Sequence, residues 1–227
     1  MEGNQTIEYS ENYVYMPEFW PTKRNNYQRL IDEIGKHLIQ SNVKLFGAVH
    51  QERRLTCLMA EKEMKMSYSG RTVVSNKIEN GTLLSKMLNI LRSEKYQSLL
   101  CDIAPELKDV IPKFNAVFIN HYRRREDWGD KPDGLGFHSD DEKDLKSSVI
   151  LAVTFCEDGG ERIFRFQDKK TKTILWQKEL ENGSALWMLP GCQDRTKHEI
   201  SDRKTHIDGS KVTGGRISLT FRQLVLP

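Results

Sequence analysis

His138-Ser139-Asp140 is the most informative tripeptide of this 227-residue sequence, and a second histidine, His198, follows far downstream. Alternate residues of an extended segment share a face, so the side chains of His138 and Asp140 are expected to point the same way. Two imidazoles and one carboxylate suit Fe(II), because they hold one face of the ion and leave its other positions free. The sequence therefore predicts a metal site formed by His138, Asp140 and His198.

The choice of the distal ligand rests on local context. A His-x-Asp tripeptide is weak evidence by itself, since six histidines and 32 acidic residues can produce one in an exposed charged turn. His206 is the rival of His198. We favour His198 because residues 197–200 are strand-like, whereas His206 lies in a polar loop at 204–209.

A strictly alternating segment, Arg216-Ile217-Ser218-Leu219-Thr220-Phe221-Arg222, follows the second histidine. It predicts a strand with one apolar and one polar face. The two arginines of such a strand lie about 20 Å apart, and their long side chains could lean inward around a small dianion. The alternative is an amphipathic strand that faces solvent, but such a polar face would more often mix Lys and Glu.

Four segments resemble, in the same order, the AlkB family of Fe(II)- and 2-oxoglutarate-dependent nucleic-acid dealkylases. They cover about residues 114–224 and are Phe118-Ile119-Asn120-His121-Tyr122, His138-Ser139-Asp140-Asp141-Glu142, His198 and Arg216–Arg222. Leu45-Phe46-Gly47 and Tyr68-Ser69-Gly70 resemble, more weakly, parts of the family's amino-terminal extension. The His-Ser-Asp-Asp-Glu form and Gly191-Cys192-Gln193 are similar to the AlkB domains of plant RNA virus replicases.

The resemblance implies both the cofactors and the reaction. Fe(II), 2-oxoglutarate and O2 would be used, with ascorbate as a candidate reductant. N-alkylated bases in DNA or RNA would be demethylated oxidatively, with release of formaldehyde and conversion of 2-oxoglutarate to succinate and CO2. Arg216 would pair with the far carboxylate of 2-oxoglutarate, and Arg222 would fix its near end and Asp140. The residues implied to contact 2-oxoglutarate are Asn120, Tyr122, Arg216, Ser218, Thr220 and Arg222.

The substrate residues are predicted from the same interpretation. Asp141 and Glu142 could recognise the polar edge of a flipped base, and a carboxylate favours a methylated base because such bases are cationic. The alternative is an acidic turn that continues into Lys143. Tyr68, with Ser69 beside it, is expected to stack on the base. Arg54 is expected to contact a phosphate.

Basic clusters supply the argument for a polyanionic partner. The net charge is only +3, so the overall charge does not indicate nucleic acid. Arg123, Arg124 and Arg125 directly follow the predicted cosubstrate strand, and we expect them at the rim of the site, where phosphates would pass. Met66 stands where repair enzymes of the AlkB family often have an aromatic residue, which leaves room for a different substrate.

Composition limits the class of protein. The hydrophobic fraction is 37% and the charged fraction 30%, and no apolar run approaches the ~20 residues of a membrane span. The first residues lack the basic and apolar regions of a signal peptide.

Four widely spaced cysteines indicate free thiols in a reducing compartment. We expect an intracellular monomer, nuclear or cytoplasmic, that acts on methylated DNA or RNA without a membrane or an obligate protein partner.

Two helices followed by many short strands predict an α+β protein, a double-stranded β-helix (jelly roll) with supporting amino-terminal helices. We predict an amino-terminal extension at 1–110, with nucleotide-recognition segments, and a dioxygenase core at 111–227, joined in one compact unit. We expect irregular structure at 1–24, and the least order at the amino terminus, 126–135 and 201–214. The predicted helices are 25–41 and 82–96, and the predicted strands are 114–122, 147–156, 162–167, 173–180, 184–189 and 215–225.

Three functions are compatible with these observations. The first is a dealkylase of DNA or RNA. The second is the same oxygenase core acting on a protein or a small molecule. The third is a binding module without activity, which the fold alone would not exclude. The complete set of metal and cosubstrate residues disfavours the third, and the basic residues at the rim favour the first over the second.

Overall fold

The computed structural model describes residues 6–22, 25–45, 48–129 and 131–225. Its α-helices are α1 (Asn26–Ile34), α2 (Leu83–Arg92), α3 (Glu94–Ile103) and α4 (Cys192–Arg195), and 3-10 turns lie at Gly35–His37, Pro105–Leu107 and Arg125–Asp127. Its strands are β1 (Glu8–Tyr9), β2 (Tyr13–Met16), β3 (Asn42–Leu45), β4 (Ala48–Gln51), β5 (Leu55–Ala60), β6 (Lys65–Tyr68), β7 (Arg71–Val74), β8 (Asn76–Lys77), β9 (Ala116–Tyr122), β10 (Leu135–His138), β11 (Ile150–Cys156), β12 (Ile163–Asp168), β13 (Ile174–Glu179), β14 (Ala185–Met188), β15 (Thr196–Ile200) and β16 (Arg216–Arg222).

Two sheets form the body of the protein. Within the described ranges the larger sheet has the strand order β1-β2-β14-β11-β16-β9-β5-β8, and the smaller one has the order β10-β15-β12-β13. An apolar cluster that includes Ile150 and Leu186 of the larger sheet and Phe164 and Phe166 of the smaller sheet fills part of the space between them. This arrangement is a jelly roll with supporting helices, so the predicted fold class is confirmed.

The helices cover the outer face of the larger sheet. Leu30 and Ile34 of α1 and Met87 of α2 belong to one buried cluster with Ile217 and Phe221 of β16. The apolar face of β16 therefore packs against helices, and its polar face is turned toward the smaller sheet. All seven residues of this strand are buried, so the alternative of a solvent-facing strand is wrong.

The helix ends differ from the prediction for local reasons. Residues 25–41 were expected to form one helix, but α1 ends at Ile34 and a 3-10 turn follows. The expected helix at 82–96 begins as predicted, with the Thr82 side chain accepting from the amide of Ser85. It stops at Ser93, which has extended backbone dihedrals and caps the next helix, α3. A serine that competes for backbone hydrogen bonds favours such a break.

Two stretches are more regular than expected. The first 24 residues were predicted to be irregular, yet Tyr13–Met16 form β2, which pairs with β14 and is fully buried. The stretch predicted to be among the least ordered, 126–135, starts in the 3-10 turn Arg125–Asp127 and ends where β10 begins at Leu135. The larger sheet draws strands from both sides of residue 110, because β2 and β5 lie in it with β9 and β16.

The four cysteines are free, as predicted. None of the helices in the described part of the chain has the length and apolar character needed to cross a bilayer.

Candidate metal and cosubstrate site

His138, Asp140 and His198 converge between the two sheets. His138 is the last residue of β10, and its register partner on β15 is His198. The centroids of the two imidazole rings are 4.2 Å apart. Asp140 lies two residues further on, with Oδ1 3.6 Å from Nε2 of His138 and Oδ2 3.9 Å from Nε2 of His198. One potential ligand atom from each residue lies within 4.8 Å of the others, which is the spacing of a shared metal site.

The surroundings give these groups the protonation states that a divalent metal requires. Burial lowers the pKa of His198 to about 3, so its imidazole is neutral. Burial of Asp140 opposes ionisation, but the guanidinium of Arg222 and the two nearby imidazoles hold the pKa of this carboxyl well below its usual range. Neutral imidazole and ionised carboxylate are the forms that bind metal.

Neighbouring groups hold the three residues in place. The Phe164 ring stacks on His198, with centroids 5.5 Å apart and planes within 11°. Nδ1 of His138 lies 2.9 Å from the carbonyl oxygen of Gly136, which leaves Nε2 for a metal. The amide of Asp140 donates to Oε1 of the buried Gln193 across 2.9 Å. The donor set and its support fit an Fe(II) site.

His206 lies elsewhere, in the loop after β15. Its Nδ1 is 3.1 Å from Oε1 of Glu179, the last residue of β13. The geometry groups His198, and not His206, with His138 and Asp140, which supports the predicted ligand set.

Arg216 is a buried guanidinium with unused donors. Its side chain is inaccessible to solvent, and Nη2 donates to Oγ1 of Thr154 across 2.9 Å. Nε and Nη1 have no hydrogen-bond partner among the described residues. The guanidinium lies 5.2 Å from the ring centroid of Tyr122, and burial lowers its pKa. A buried cation with two free donors fits a carboxylate ligand, as the far end of 2-oxoglutarate requires.

Arg222 lies at the other end of the same strand and contacts the metal-site carboxylate. Nη2 is 2.9 Å from Oδ2 of Asp140, and Nη1 is 2.8 Å from Oε2 of Glu142. The guanidinium also lies 5.6 Å from the ring centroid of Phe118. Arg222 thus fixes Asp140 and Glu142 at once.

One cavity joins these groups. It is bounded by the three predicted metal ligands and by every residue predicted to contact 2-oxoglutarate: Asn120, Tyr122, Arg216, Ser218, Thr220 and Arg222. Alternate residues of β9 and β16 point into it because Asn120 pairs in register with Ser218, and Tyr122 with Arg216. Apolar side chains of Phe164, Leu180, Met188 and Ile200 close the remaining wall.

A wider groove of about 850 Å³ opens beside the cavity. Tyr68, Leu135 and His138 line both spaces. The predicted substrate residues Arg54, Tyr68, Ser69, Asp141 and Glu142 line the groove, together with His50, Arg53 and Lys131.

Two predicted phosphate contacts need correction. Arg54 is only 3% exposed, and its guanidinium contacts Glu52 across 2.9 Å, so it is a buried structural cation and does not face a phosphate. Arg123 makes a bidentate pair with Asp133, and Arg124 pairs with Glu157. Arg123, Arg124 and Arg125 are also outside the described lining of the groove. Arg123 and Arg124 are therefore each neutralised by a different carboxylate, which disfavours a shared phosphate track at residues 123–125.

Two further segments of the resemblance can be placed only in part. Met66 is fully buried, and its Sδ lies 3.8 Å from Nη1 of Arg222. It therefore packs against the arginine that holds Asp140 and is outside the described lining of the groove. Phe46 and Gly47 of the Leu45-Phe46-Gly47 run lie outside the described residues.

Sequence reasoning missed two supporting residues. Thr154 is the polar residue in the otherwise apolar segment Ile150–Phe155, and this interruption was a usable indication. Gln193 was noticed only as part of a motif, because its contact with the amide of Asp140 depends on how the chain folds back.

A jelly roll with a His-Asp-His cluster and a buried arginine defines the Fe(II)- and 2-oxoglutarate-dependent dioxygenases. The chain belongs to the 2OG-Fe(II) oxygenase superfamily, whose family model matches residues 8–222. These dioxygenases use Fe(II), 2-oxoglutarate and O2.

Comparison with individual proteins confirms the resemblance to the AlkB family. The chain is 26% identical over 193 residues to the DNA oxidative demethylase ALKBH2 of Mus musculus, covering 82% of this chain and 67% of the mouse protein. It is 33% identical over 121 residues to the Homo sapiens protein of the same name, covering 50% of this chain and 41% of the human protein. A solved structure titled "The structure of OsALKBH1" superposes with a TM-score of 0.63 at 16% identity, covering 96% of this chain and 100% of that one, and shows the shared fold.

Proposed function

We propose that this protein is an oxidative demethylase of N-methylated bases in DNA or RNA. The observation that carries the proposal is that the metal cavity and the wider groove adjoin, because Tyr68, Leu135 and His138 line both. The groove has a volume of about 850 Å³, near the upper end of the roughly 300–1,000 Å³ of ligand pockets, so it has room for a base together with its sugar and phosphate. Its position brings a base that enters the groove next to the metal ligands.

The inner cavity is assigned to the cofactors. His138, Asp140 and His198 would hold Fe(II), and Arg216 would pair with the far carboxylate of 2-oxoglutarate. When bound, iron and 2-oxoglutarate supply the oxidising chemistry, in which O2 and 2-oxoglutarate yield succinate, CO2 and a hydroxylated methyl group that leaves as formaldehyde. Asn120 and Tyr122 would donate hydrogen bonds to the same cosubstrate, and Ser218 and Thr220 would line its path.

The remaining residues of the cavity orient and shield these groups. Arg222 holds the carboxylate of Asp140 across 2.9 Å, so this ligand keeps one orientation before metal binds. Phe164 fixes the ring plane of His198. The apolar wall that includes Leu180 and Met188 limits the access of water, which strengthens the electrostatic contacts inside.

The groove suits a methylated base. Tyr68 presents an aromatic ring at the junction with the cavity, where a flipped base can stack. Asp141 is exposed in the groove, whereas Glu142 is already held by Arg222. An exposed carboxylate in the same groove as Tyr68 favours a base that methylation has made cationic.

Arg53 and Lys131 offer the cations that phosphates need. Both line the groove. Arg53 pairs with Asp202 across 2.8 Å, but the two side chains are 40% and 52% exposed. Such exposed pairs contribute roughly 0–1 kcal/mol, so a phosphate can replace Asp202 at little cost.

The direct test is demethylation by the iron-loaded protein with 2-oxoglutarate. Matched DNA and RNA oligonucleotides of one sequence, each carrying a single N-methylated base, would be assayed for formaldehyde and restored base. Unmethylated oligonucleotides and the His138→Ala variant serve as controls. We expect activity on at least one methylated oligonucleotide. If 2-oxoglutarate is consumed while every oligonucleotide stays unchanged, the proposal is wrong.

A further inference from the structure

We propose that Arg54 is a positioning residue that couples occupancy of the substrate groove to 2-oxoglutarate binding in the inner cavity. This inference rests on the proposed function, because Tyr68 is the groove residue that would contact the base and Asn120 the cavity residue that would contact 2-oxoglutarate. It replaces the phosphate role that the sequence suggested for Arg54.

One buried guanidinium connects the two spaces. Nε of Arg54 donates to Oδ1 of Asn120 across 2.7 Å. Nη2 of the same guanidinium donates to the hydroxyl oxygen of Tyr68 and lies 2.9 Å from Oε1 of Glu52. The planar guanidinium has a fixed geometry, so a shift at one of these contacts moves the donors at the others.

The contact with Asn120 determines what that amide can do. A guanidinium only donates hydrogen bonds, so the atom that meets Nε must be the amide oxygen of Asn120. Both N–H donors of the amide are then left for a ligand in the cavity, which Asn120 lines. Without Arg54 the amide could turn over and offer its oxygen, which would repel a carboxylate.

The contact with Tyr68 reaches the part of the groove that a substrate would touch. Tyr68 ends β6, and Arg71 begins β7 after a turn in which Ser69 and Gly70 have positive φ. Oε2 of Glu52 pairs with Arg71 across 3.0 Å. Arg54 is therefore tied to both strands of this hairpin, directly through Tyr68 and through the Glu52–Arg71 pair.

Burial makes the connection stiff. The side chains of Arg54 and Glu52 are each 3% exposed, so water cannot readily replace their contacts. A base that stacks on Tyr68 would hold the hairpin and, through Arg54, keep Asn120 in the orientation that binds 2-oxoglutarate. By thermodynamic reciprocity, 2-oxoglutarate would tighten nucleic-acid binding by the same factor.

The test is a binding experiment without turnover. A fluorescent methylated single-stranded oligonucleotide is titrated with the Fe(II)-loaded protein without oxygen, in the presence and absence of saturating 2-oxoglutarate. For the unmodified protein we expect 2-oxoglutarate to lower the Kd of the oligonucleotide at least about fivefold, the lower end of typical couplings. Arg54→Lys keeps a cation beside Glu52 but lacks the several fixed donors of a guanidinium. In this variant the coupling ratio, which is the Kd without 2-oxoglutarate divided by the Kd with it, should fall to about one.

Two other variants make the result specific. Tyr68→Phe keeps the ring and Arg54 but removes the hydroxyl acceptor, so it should also reduce the ratio, whether or not Arg54→Lys folds well. Arg92→Lys is the matched control, because Arg92 also pairs with a glutamate, Glu61, across 2.7 Å but lines neither the cavity nor the groove, so this variant should keep the ratio of the unmodified protein.

The outcomes separate the inference from the proposed function. Oligonucleotide binding and demethylation with an unchanged coupling ratio in both Arg54→Lys and Tyr68→Phe would overturn the role of Arg54 and leave the demethylase proposal intact. A ratio of one in the unmodified protein would overturn it as well. An absence of oligonucleotide binding by the unmodified protein would contradict the proposed function, and the coupling would fall with it.

Discussion

Arg222 holds Asp140 and Glu142 in one fork, with Nη2 2.9 Å from Oδ2 of Asp140 and Nη1 2.8 Å from Oε2 of Glu142. Asp140 is a predicted metal ligand, and Glu142 lines the substrate groove. β16 therefore has two roles. It carries Arg216, the predicted partner of 2-oxoglutarate, at one end, and at the other end Arg222 holds a metal-site carboxylate and a groove carboxylate.

Arg222→Leu should destabilise the protein before any cofactor is added. Two largely buried carboxylates would lose their cation, and breaking a buried pair in this way costs about 3–5 kcal/mol. Urea unfolding of the metal-free protein would measure the change. Arg222→Lys keeps the positive charge but cannot contact both carboxylates through a planar guanidinium, and it should lose less unfolding free energy than Arg222→Leu. Equal unfolding free energies for Arg222→Leu and the unmodified protein would show that the two carboxylates do not depend on this contact.

Metal binding should depend on His198 and not on His206. Excess Fe(II), added without oxygen, should raise the melting temperature of the unmodified protein, because a ligand that binds only the folded state stabilises it. His138→Ala and His198→Ala should abolish this rise and all turnover. His206→Ala removes a histidine that contacts Glu179 and should keep both. Loss of the metal-induced rise in His206→Ala would contradict the assigned ligand set.

Arg216→Leu should separate stability from cosubstrate binding. The KM for 2-oxoglutarate should rise about 10- to 150-fold, which corresponds to the roughly 1.5–3 kcal/mol of a lost charge-assisted hydrogen bond. The unfolding free energy without ligand should stay the same or increase, because a buried cation without a carboxylate partner is removed. A large loss of stability with an unchanged KM would mean that Arg216 serves the fold.

The salt dependence of oligonucleotide binding should depend on Arg53 and Lys131. Changing both to Ala should reduce the slope of log affinity against log salt concentration by up to about 1.4 for a single strand. Arg124→Ala with Arg125→Ala, at positions outside the described lining of the groove, is the matched control with the same charge change. A larger effect of the control pair would restore the phosphate track first expected at residues 123–125.

Stability should fall in mild acid because of His121. Burial lowers the pKa of this imidazole to about 4. Between its unfolded pKa of about 6.5 and this value, the unfolded chain binds a proton that the folded protein does not, so stability is lost as the pH falls through that window. The loss attributable to His121 should be about 3 kcal/mol by pH 4, and His121→Gln should remove it. Tyr27→Phe removes only the hydroxyl that contacts Nε2 of His121 and should keep the pH dependence, which comes from burial.

Much of the fold and the metal site could be predicted because the relevant patterns are local. The alternation in Arg216–Arg222 correctly predicted an apolar and a polar face for β16. The spacing of His138 and Asp140 predicted that their side chains point to the same side of the chain. Context also distinguished His198 from His206. In each case the geometry of a single strand was enough.

The rest depends on contacts between distant segments. The sequence indicated that Arg54 is basic but not that Glu52 and Tyr68 would surround it, so a surface role was predicted for a buried residue. Arg123 and Arg124 are adjacent in sequence, yet each faces its own carboxylate, Asp133 or Glu157. Burial of a charge is decided by partners that folding brings together.

The position of His138 has a consequence for how the chain matures. β10 has four residues, lies at the edge of the smaller sheet and pairs with β15 through an irregular register. A slip by one residue would place Phe137 opposite His198 and turn His138 to the other face of the sheet. An iron ion that requires both imidazoles would therefore stabilise one alignment of this strand against its neighbours. Metal binding would then shift the equilibrium of this edge strand toward the register in which the two histidines face each other.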